Sequence, residues 1–270
     1  MAALRPRDIR LLSITELAHR ILSGDAAGPE LLRRLARDER AGVRALAARL
    51  ARQEMRAAQE SARLDSLRAV EVEQRSLGFQ VIAGVDEAGV APLAGPVVAA
   101  AAILPPDLRL PHLDDSKRLT AEQREALYPL VTGRAEAWAV AVATVEEIDR
   151  LNILQATRLA HRRAILGLAR RPALVLIDGR FAADVPLPQL VVIDGDATCA
   201  PIAAASILAK VTRDRLMVQL AGRYPEYGFD RHKGYATRAH LDAIARYGLT
   251  PFHRRSFLPV RVRQEALSLG

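Results

Sequence analysis

The 270-residue sequence has little cysteine, little lysine and few aromatic residues. The single cysteine, Cys199, excludes an intramolecular disulfide, indicates a reducing compartment and offers no zinc site of the Cys/His type. No run is long and apolar enough to span a bilayer, and residues 1–10 lack the pattern of a signal peptide. We therefore expect a cytoplasmic protein with no membrane partner.

Lysine is rare although the chain is basic. Only three of the 39 basic residues are lysines: Lys117, Lys210 and Lys233. In a chain that otherwise uses arginine, a retained lysine can mark a place where a compact ammonium is needed, although chance explains the same count.

The net charge of +8 is unevenly distributed along the chain. Residues 1–77 carry 15 basic and 11 acidic side chains, residues 231–270 carry 8 and 2, and the middle is slightly acidic. An acidic centre between basic ends suits a metal-dependent enzyme of nucleic acids, since carboxylates bind metals and cations bind phosphates. A solvated basic surface is the plainer alternative.

The first 77 residues show the spacing of helices and no candidate site. Ser13 and Glu16 form a capping-box pattern, and the stretch from 43 to 74 predicts one long helix. Gly78 marks a change to strand-like runs. The predicted organisation is a helical extension over 1–77, a catalytic domain over 78–262 and a tail over 263–270.

The central part predicts an α/β fold in which acids follow apolar strands. Strands are expected near 81–85, 96–104, 136–145, 173–177 and 190–193. Three of these strands run into acid, at Asp86-Glu87, at Asp178 and at Asp194-Gly195-Asp196. A lone acid after a strand is usually a turn residue, but three such strands in one sheet can bring carboxylates together. Oxygen ligands without a histidine or cysteine cluster favour Mg²⁺ or Mn²⁺.

Seven of the eleven aromatic residues fall between 224 and 257, among arginine, histidine and lysine residues that include Arg254. Aromatic and cationic side chains in alternation suit nucleic-acid binding. A small aromatic core with a charged outer face is the alternative for most of them. Tyr235, next to Gly234, is the best candidate for substrate contact.

Several motifs, taken in order, resemble bacterial ribonuclease HII over residues 78–262. They are GVDEAG, PLAGPVVAAA, DDSKRLT, NILQATRLA, LIDG, GDA, IAAASILAKVTRDRLM, YGFDRHKGYATRAHLDAI and HRRSF. The resemblance implies a ribonuclease H-like mixed sheet flanked by helices. It also implies cleavage of RNA in RNA–DNA hybrids and of ribonucleotides embedded in duplex DNA, leaving 3′-hydroxyl and 5′-phosphate ends.

The resemblance further implies a role for particular residues. The carboxylates of the two-metal site, for Mn²⁺ or Mg²⁺, fall on Asp86, Glu87, Asp178 and Asp196. The residues that contact substrate fall on Gly89, Val90, Ala91, Ser116, Lys117, Lys210 and Tyr235. We expect the chain to act as a monomer on its hybrid or ribonucleotide-containing duplex.

Two departures from the family pattern stand near these residues. Gly89-Val90-Ala91 replaces the usual Gly-Arg-Gly, which reads the 2′-hydroxyl and nearby phosphates, and Asp194 stands where lysine is common. Val90 has neither the charge nor the hydrogen bonds of a guanidinium. We therefore expect a weakened preference for single embedded ribonucleotides. A hybrid-binding protein with little catalysis and a nuclease of the same fold with another specificity are the alternatives.

Overall fold

The computed structural model describes residues 11–22 and 29–257 of the chain. The chain divides into two compact units, and the division falls after Arg63, inside a helix. The sequence instead places a domain limit at Gly78, where the helices end, and that limit remains a prediction. The predicted tail over 263–270 lies outside the described residues.

The first unit is helical. Its helices are α1 (Ile14–Leu22), α2 (Pro29–Ala36) and the start of α3 (Ala41–Leu67). The capping box is present, since the Ser13 backbone N–H donates to Glu16 Oε2 at 2.9 Å and the Glu16 N–H donates to Ser13 Oγ at 3.3 Å. An apolar core of mostly leucine side chains, which includes Leu17, Leu35 and Val43, joins the three helices.

The prediction of one long helix over 43–74 is wrong. The helix is interrupted at Arg68, and a separate helix, α4 (Ala69–Ser76), follows. Arg68 is almost fully buried and donates to the Leu108 carbonyl at 2.7 Å and to Glu71 at 3.1 Å. A buried guanidinium needs such partners. The Leu108 carbonyl lies 40 positions away in the sequence, so helical spacing alone does not reveal the break.

The second unit is built on a five-stranded mixed sheet. The strands are β1 (Ile82–Ala88), β2 (Val97–Ile103), β3 (Ala137–Ala143), β4 (Leu174–Asp178) and β5 (Gln189–Val192). They lie in the order β3-β2-β1-β4-β5, with β2 antiparallel to both neighbours and β4 parallel to both of its own. The predicted α/β class with a mixed sheet is confirmed.

Helices cover both faces of this sheet. They are α5 (Ala121–Arg134), α6 (Val145–Leu151), α7 (Ile153–Leu166), α8 (Gly195–Thr198), α9 (Ala200–Arg223), α10 (Phe229–His232) and α11 (Arg238–Tyr247). On one face α9 packs against β1 and β2, and on the other α7 packs against β2 and β3. No helix in the described part of the chain is long and apolar enough to cross a membrane.

Gly84 in β1 allows the close approach of α9. A Cβ atom at this position would lie 2.1 Å from the carbonyl carbon of Pro201, which is main chain in the first turn of that helix. The absence of a side chain therefore sets the distance between the central strand and the helix.

Two local differences from the sequence expectation affect the site. β1 continues through Asp86 and Glu87 to Ala88, so the acids lie within the strand and not after it. The short helix α6 was not predicted, although Thr144 and Glu147 form its capping box.

Candidate active site

Three carboxylates meet at one end of the sheet. Asp86 lies in β1, Asp178 ends β4, and Asp196 lies in α8 directly after β5. β1, β4 and β5 are parallel neighbours, so their C-terminal ends lie together. One oxygen of each carboxylate lies within 4.8 Å of the other two. The convergence of these acids, which the strand pattern predicts, is present in the structure.

Burial and mutual repulsion oppose the ionisation of these acids. Asp86 is 3% exposed, and its burial together with the charges of Glu87 and Asp178 raises its pKa well above the ordinary value. Burial, and next the charge of Asp196, likewise raises the pKa of Asp178. A divalent cation would relieve both effects. A donor set made of carboxylate oxygens suits Mg²⁺ or Mn²⁺, so the residues present fit such an ion.

Glu87 is placed differently from the other three acids. Adjacent residues of a strand point to opposite faces, so Asp86 faces the α9 side and Glu87 the α7 side. Glu87 Oε2 lies 2.8 Å from Nε2 of His161 in α7, and Glu87 is not one of the three acids within 4.8 Å of each other. Its charge still raises the pKa of Asp86 and of Asp178.

Lys117 neutralises part of this acidic cluster. Its ammonium donates to Asp196 Oδ2 at 2.6 Å and lies 3.9 Å from Asp115 Oδ1, while 72% of its side chain is exposed. Burial opposes its charge, but the bond to Asp196 and the charges of both acids outweigh this effect and raise the pKa of Lys117. An exposed ammonium beside the carboxylates is in reach of a phosphate.

Ser116 lies beneath the site rather than at its surface. Its hydroxyl is buried and lies 2.7 Å from the hydroxyl of Ser206 in α9. Ser206 in turn lowers the pKa of Asp86, against the larger effect of burial. Ser116 therefore contacts a neighbour of the Asp86 carboxylate, and its predicted contact with substrate remains a prediction.

The loop over Gly89, Val90 and Ala91 is held by its backbone. Arg254 donates from Nη1 to the Val90 carbonyl at 2.8 Å and from Nη2 to the Gly89 carbonyl. Arg213 packs under Gly89, whose φ of +97° and lack of Cβ leave room for that guanidinium. Val90 remains 36% exposed.

Both of these arginines are buried and bond main-chain carbonyls. Arg254 also donates to Gly95, and Arg213 donates to Ala94, Pro96 and Lys233. Burial lowers the pKa of each. The interpretation of Arg254 as a cation available for phosphate contact is therefore wrong, because its buried guanidinium already donates to the carbonyls of Gly89, Val90 and Gly95.

Lys210 and Tyr235 share an open groove of about 910 Å³ beside α9. Lys210 donates to Asp214 at 2.7 Å, and Tyr235 is 45% exposed. Further cationic residues line the same groove: Arg124, Arg215, Arg231 and Lys233. The other aromatic residues of this region, Tyr227 and Phe229 among them, mostly form an apolar core, as the plainer alternative holds.

A chain of hydrogen bonds between buried histidines ends at the backbone of Tyr235. The Thr250 N–H donates to Nδ1 of His253 at 2.9 Å, so the proton of the neutral ring lies on Nε2. His253 then donates to Nε2 of His240 at 3.1 Å, and Nδ1 of His240 donates to the Tyr235 carbonyl at 2.9 Å. Burial lowers the pKa of both histidines to about 4, which keeps them neutral at pH 7.

Comparison with known proteins decides the family. The sequence model described as "Ribonuclease HII" matches residues 83–260, and the one described as "Ribonuclease HII N-terminal domain" matches residues 13–75. The chain belongs to the ribonuclease HII family. It is thereby a ribonuclease H, a hydrolase that acts on RNA–DNA hybrids.

Individual relatives agree with this assignment. A ribonuclease HII from Geobacillus kaustophilus is 52% identical over 240 residues, which are 89% of this chain and 91% of the relative. The crystal structure of the ribonuclease H2 from Pyrococcus horikoshii matches with a TM-score of 0.60 at 27% identity, over 71% of this chain and all of that one. A ribonuclease HIII in complex with Mn²⁺ shares the fold, with a TM-score of 0.55 at 21% identity over 73% of each chain.

Sequence patterns alone did not single out two of the residues that surround the acids. His161 contacts Glu87, which lies 74 positions away in the sequence. The one local sign of its role is that a histidine occupies the buried, otherwise apolar face of α7. Ser206 sits in the apolar start of α9, where it looks like an ordinary small core residue.

Proposed function

We propose that the chain is a metal-dependent endonuclease that cleaves the RNA strand of RNA–DNA hybrids and leaves 3′-hydroxyl and 5′-phosphate ends. Asp86, Glu87, Asp178 and Asp196 would hold the metal ions. The observation that carries this proposal is the convergence of three carboxylates, two of them 3% exposed, within 4.8 Å. Lys117 compensates only part of the charge of these closely packed acids, and a divalent cation would compensate the rest.

When bound, the divalent ions would supply activation of water and stabilisation of the charge that develops on the leaving oxygen. The water oxygen then forms a bond to phosphorus as the bond to the 3′-oxygen breaks, which gives the proposed ends. The carboxylates hold this centre at the end of a rigid sheet. Lys117 places a positive charge next to Asp196 and toward solvent, where it can attract the scissile phosphate.

The groove that contains Lys210 and Tyr235 supplies the substrate surface of the proposal. Its cations suit the phosphate backbone of a duplex, and the exposed ring of Tyr235 can stack on a sugar or base. The histidine chain holds the backbone carbonyl of Tyr235 and so restrains the main chain from which that ring extends.

We also propose that the chain has a weakened preference for a single ribonucleotide in DNA. Val90 is partly exposed on a loop whose carbonyls are bound from beneath, so its side chain faces the outside where a guanidinium would meet substrate. Loss of a charge-assisted hydrogen bond is worth about 1.5–3 kcal/mol, or roughly 10- to 100-fold in rate.

The test compares two substrates, a long RNA–DNA hybrid and a duplex with one embedded ribonucleotide, each with Mg²⁺ and with Mn²⁺. We expect efficient cleavage of the hybrid and cleavage of the single ribonucleotide that is at least about 10-fold slower. The Val90→Arg/Ala91→Gly variant, which restores the family loop, should recover the slower reaction and leave hybrid cleavage unchanged.

Each outcome discriminates between readings. Wild-type cleavage of both substrates at equal rates would refute the specificity proposal and leave the nuclease proposal intact. Binding of the hybrid without cleavage at any metal concentration would establish a binding protein instead. Cleavage of a DNA–DNA duplex would show a nuclease of the same fold with another specificity.

A further inference from the structure

His161 is a buried polar residue that the proposed reaction does not yet use. It lies on the inner face of α7, is 4% exposed, and shares that buried face with three alanines and an isoleucine. One ring nitrogen, Nε2, lies 2.8 Å from Glu87 Oε2. The other, Nδ1, is buried and has no hydrogen-bond partner among the described residues.

This pattern of contacts decides which nitrogen carries the proton. A proton on Nδ1 would leave a buried donor without an acceptor and would turn the Nε2 lone pair toward a carboxylate oxygen. A proton on Nε2 removes both costs, since it donates to Glu87 and leaves only an unpaired acceptor at Nδ1. The ring is therefore the Nε2–H tautomer and donates to Glu87.

The bond restrains a side chain that would otherwise be mobile. Glu87 is about a quarter exposed, and its Oε1 makes no protein hydrogen bond among the described residues. Ordering a free glutamate side chain costs up to about 1.5–2 kcal/mol of rotamer entropy, which metal binding would have to supply. A carboxylate held by one oxygen has already met most of that cost.

We propose that His161 is a positioning residue that holds Glu87 by Oε2, so that Oε1 is oriented to bind a divalent metal ion beside Asp86. The inference rests on the proposed metal-binding role of Glu87. A neighbouring group that orients a metal ligand typically changes metal affinity by 10- to 100-fold when it is removed.

The test measures Mn²⁺ binding to the full chain by calorimetry and by electron paramagnetic resonance, without substrate. We expect His161→Leu, which fills the space but cannot donate, to weaken Mn²⁺ binding by about 10-fold or more. His161→Gln retains an amide donor, so its Mn²⁺ affinity should stay within about 3-fold of wild type. Thr157→Val is the matched control, because Thr157 lies one turn away on α7 and its buried hydroxyl has no hydrogen-bond partner in the described part of the chain.

A double-mutant cycle shows whether His161 acts through Glu87. In a Glu87→Gln background, adding His161→Leu should cause no further loss of Mn²⁺ affinity. Equal losses in both backgrounds would mean that the histidine acts by general packing. Unchanged or tighter Mn²⁺ binding by His161→Leu would overturn the inference.

Two further measurements separate the possible failures. Asp86→Asn should abolish Mn²⁺ binding. If it does not, the proposed metal site is wrong. If Asp86→Asn abolishes Mn²⁺ binding but His161→Leu leaves it unchanged, only the positioning role of His161 is refuted. Should His161→Leu not fold, ¹⁵N NMR of wild-type histidine still decides the question: we expect the Nε2–H tautomer and a shift of that resonance with Mg²⁺, and an Nδ1–H tautomer would refute the inference.

Discussion

Replacement of Gly84 by alanine tests how the sheet positions the metal site. The added Cβ would lie 2.1 Å from the Pro201 carbonyl carbon and 2.2 Å from the Ile202 nitrogen, whereas ordinary contacts begin at 3.4 Å. The strand and the helix must therefore separate by more than about 1 Å, since both obstructing atoms are main chain and cannot change rotamer.

Neither side of this contact moves easily. Gly84 is paired to Ala102 in β2 and to Leu176 in β4, and Pro201 lies in the first turn of a 24-residue helix. Overpacking in such places usually costs 1–3 kcal/mol, and because no side chain can yield here we expect a loss of about 3 kcal/mol in the free energy of unfolding. The same displacement moves Asp86 away from α9, so Mn²⁺ binding should weaken as well.

Urea denaturation and calorimetric Mn²⁺ titration measure the two effects. Gly133→Ala in α5 is the matched control, because a Cβ there has nothing within 4 Å; it should leave stability unchanged or raise it by up to about 1 kcal/mol. If Gly84→Ala is within about 0.5 kcal/mol of wild type and binds Mn²⁺ normally, the close strand–helix contact does not position the site.

Two other predictions concern charge. Asp86→Asn should abolish hybrid cleavage in a metal-supplemented assay, and near-normal rates would show that the acids are misassigned. Acidification from pH 7 to pH 5 should destabilise the fold by about 2 kcal/mol for each of His240 and His253, because their pKa of about 4 in the fold lies below the ordinary 6.5. This stability is complete above pH 6.5 and is lost as the pH falls toward 4. Urea unfolding at the two pH values measures this loss of stability. It is done in the Asp86→Asn background, which removes the carboxyl whose ionisation is most strongly opposed. Equal stability at both pH values would contradict the neutral histidine chain.

The acids at strand ends were accessible from the sequence. An apolar run that stops at a carboxylate is a local pattern, and the parallel arrangement of β1, β4 and β5 converts that local pattern into a cluster. The lysines were accessible too, because their scarcity distinguishes them: Lys117 lies at the carboxylates, and Lys210 lies in the groove beside α9.

Interactions between distant residues were not accessible. Arg213 and Arg254 look like solvated cations in the sequence, yet each is buried by carbonyls more than 100 positions away. The partnership of His161 with Glu87 has the same character. In each case the residue type and its local spacing are ordinary. The role of the residue becomes clear only from its contact with a partner that is distant in the sequence.

The way in which Arg254 holds the Gly89–Ala91 loop has a consequence for how this family can diversify. Its guanidinium binds the carbonyls of Gly89 and Val90, which every amino acid possesses, so the path of the backbone does not depend on the side chain at position 90. Under the proposed role of this loop, a single codon change there would alter which duplexes are cut and would leave the backbone bonds to Arg254 in place. A loop of that kind would let natural variation or directed evolution retune substrate choice one residue at a time.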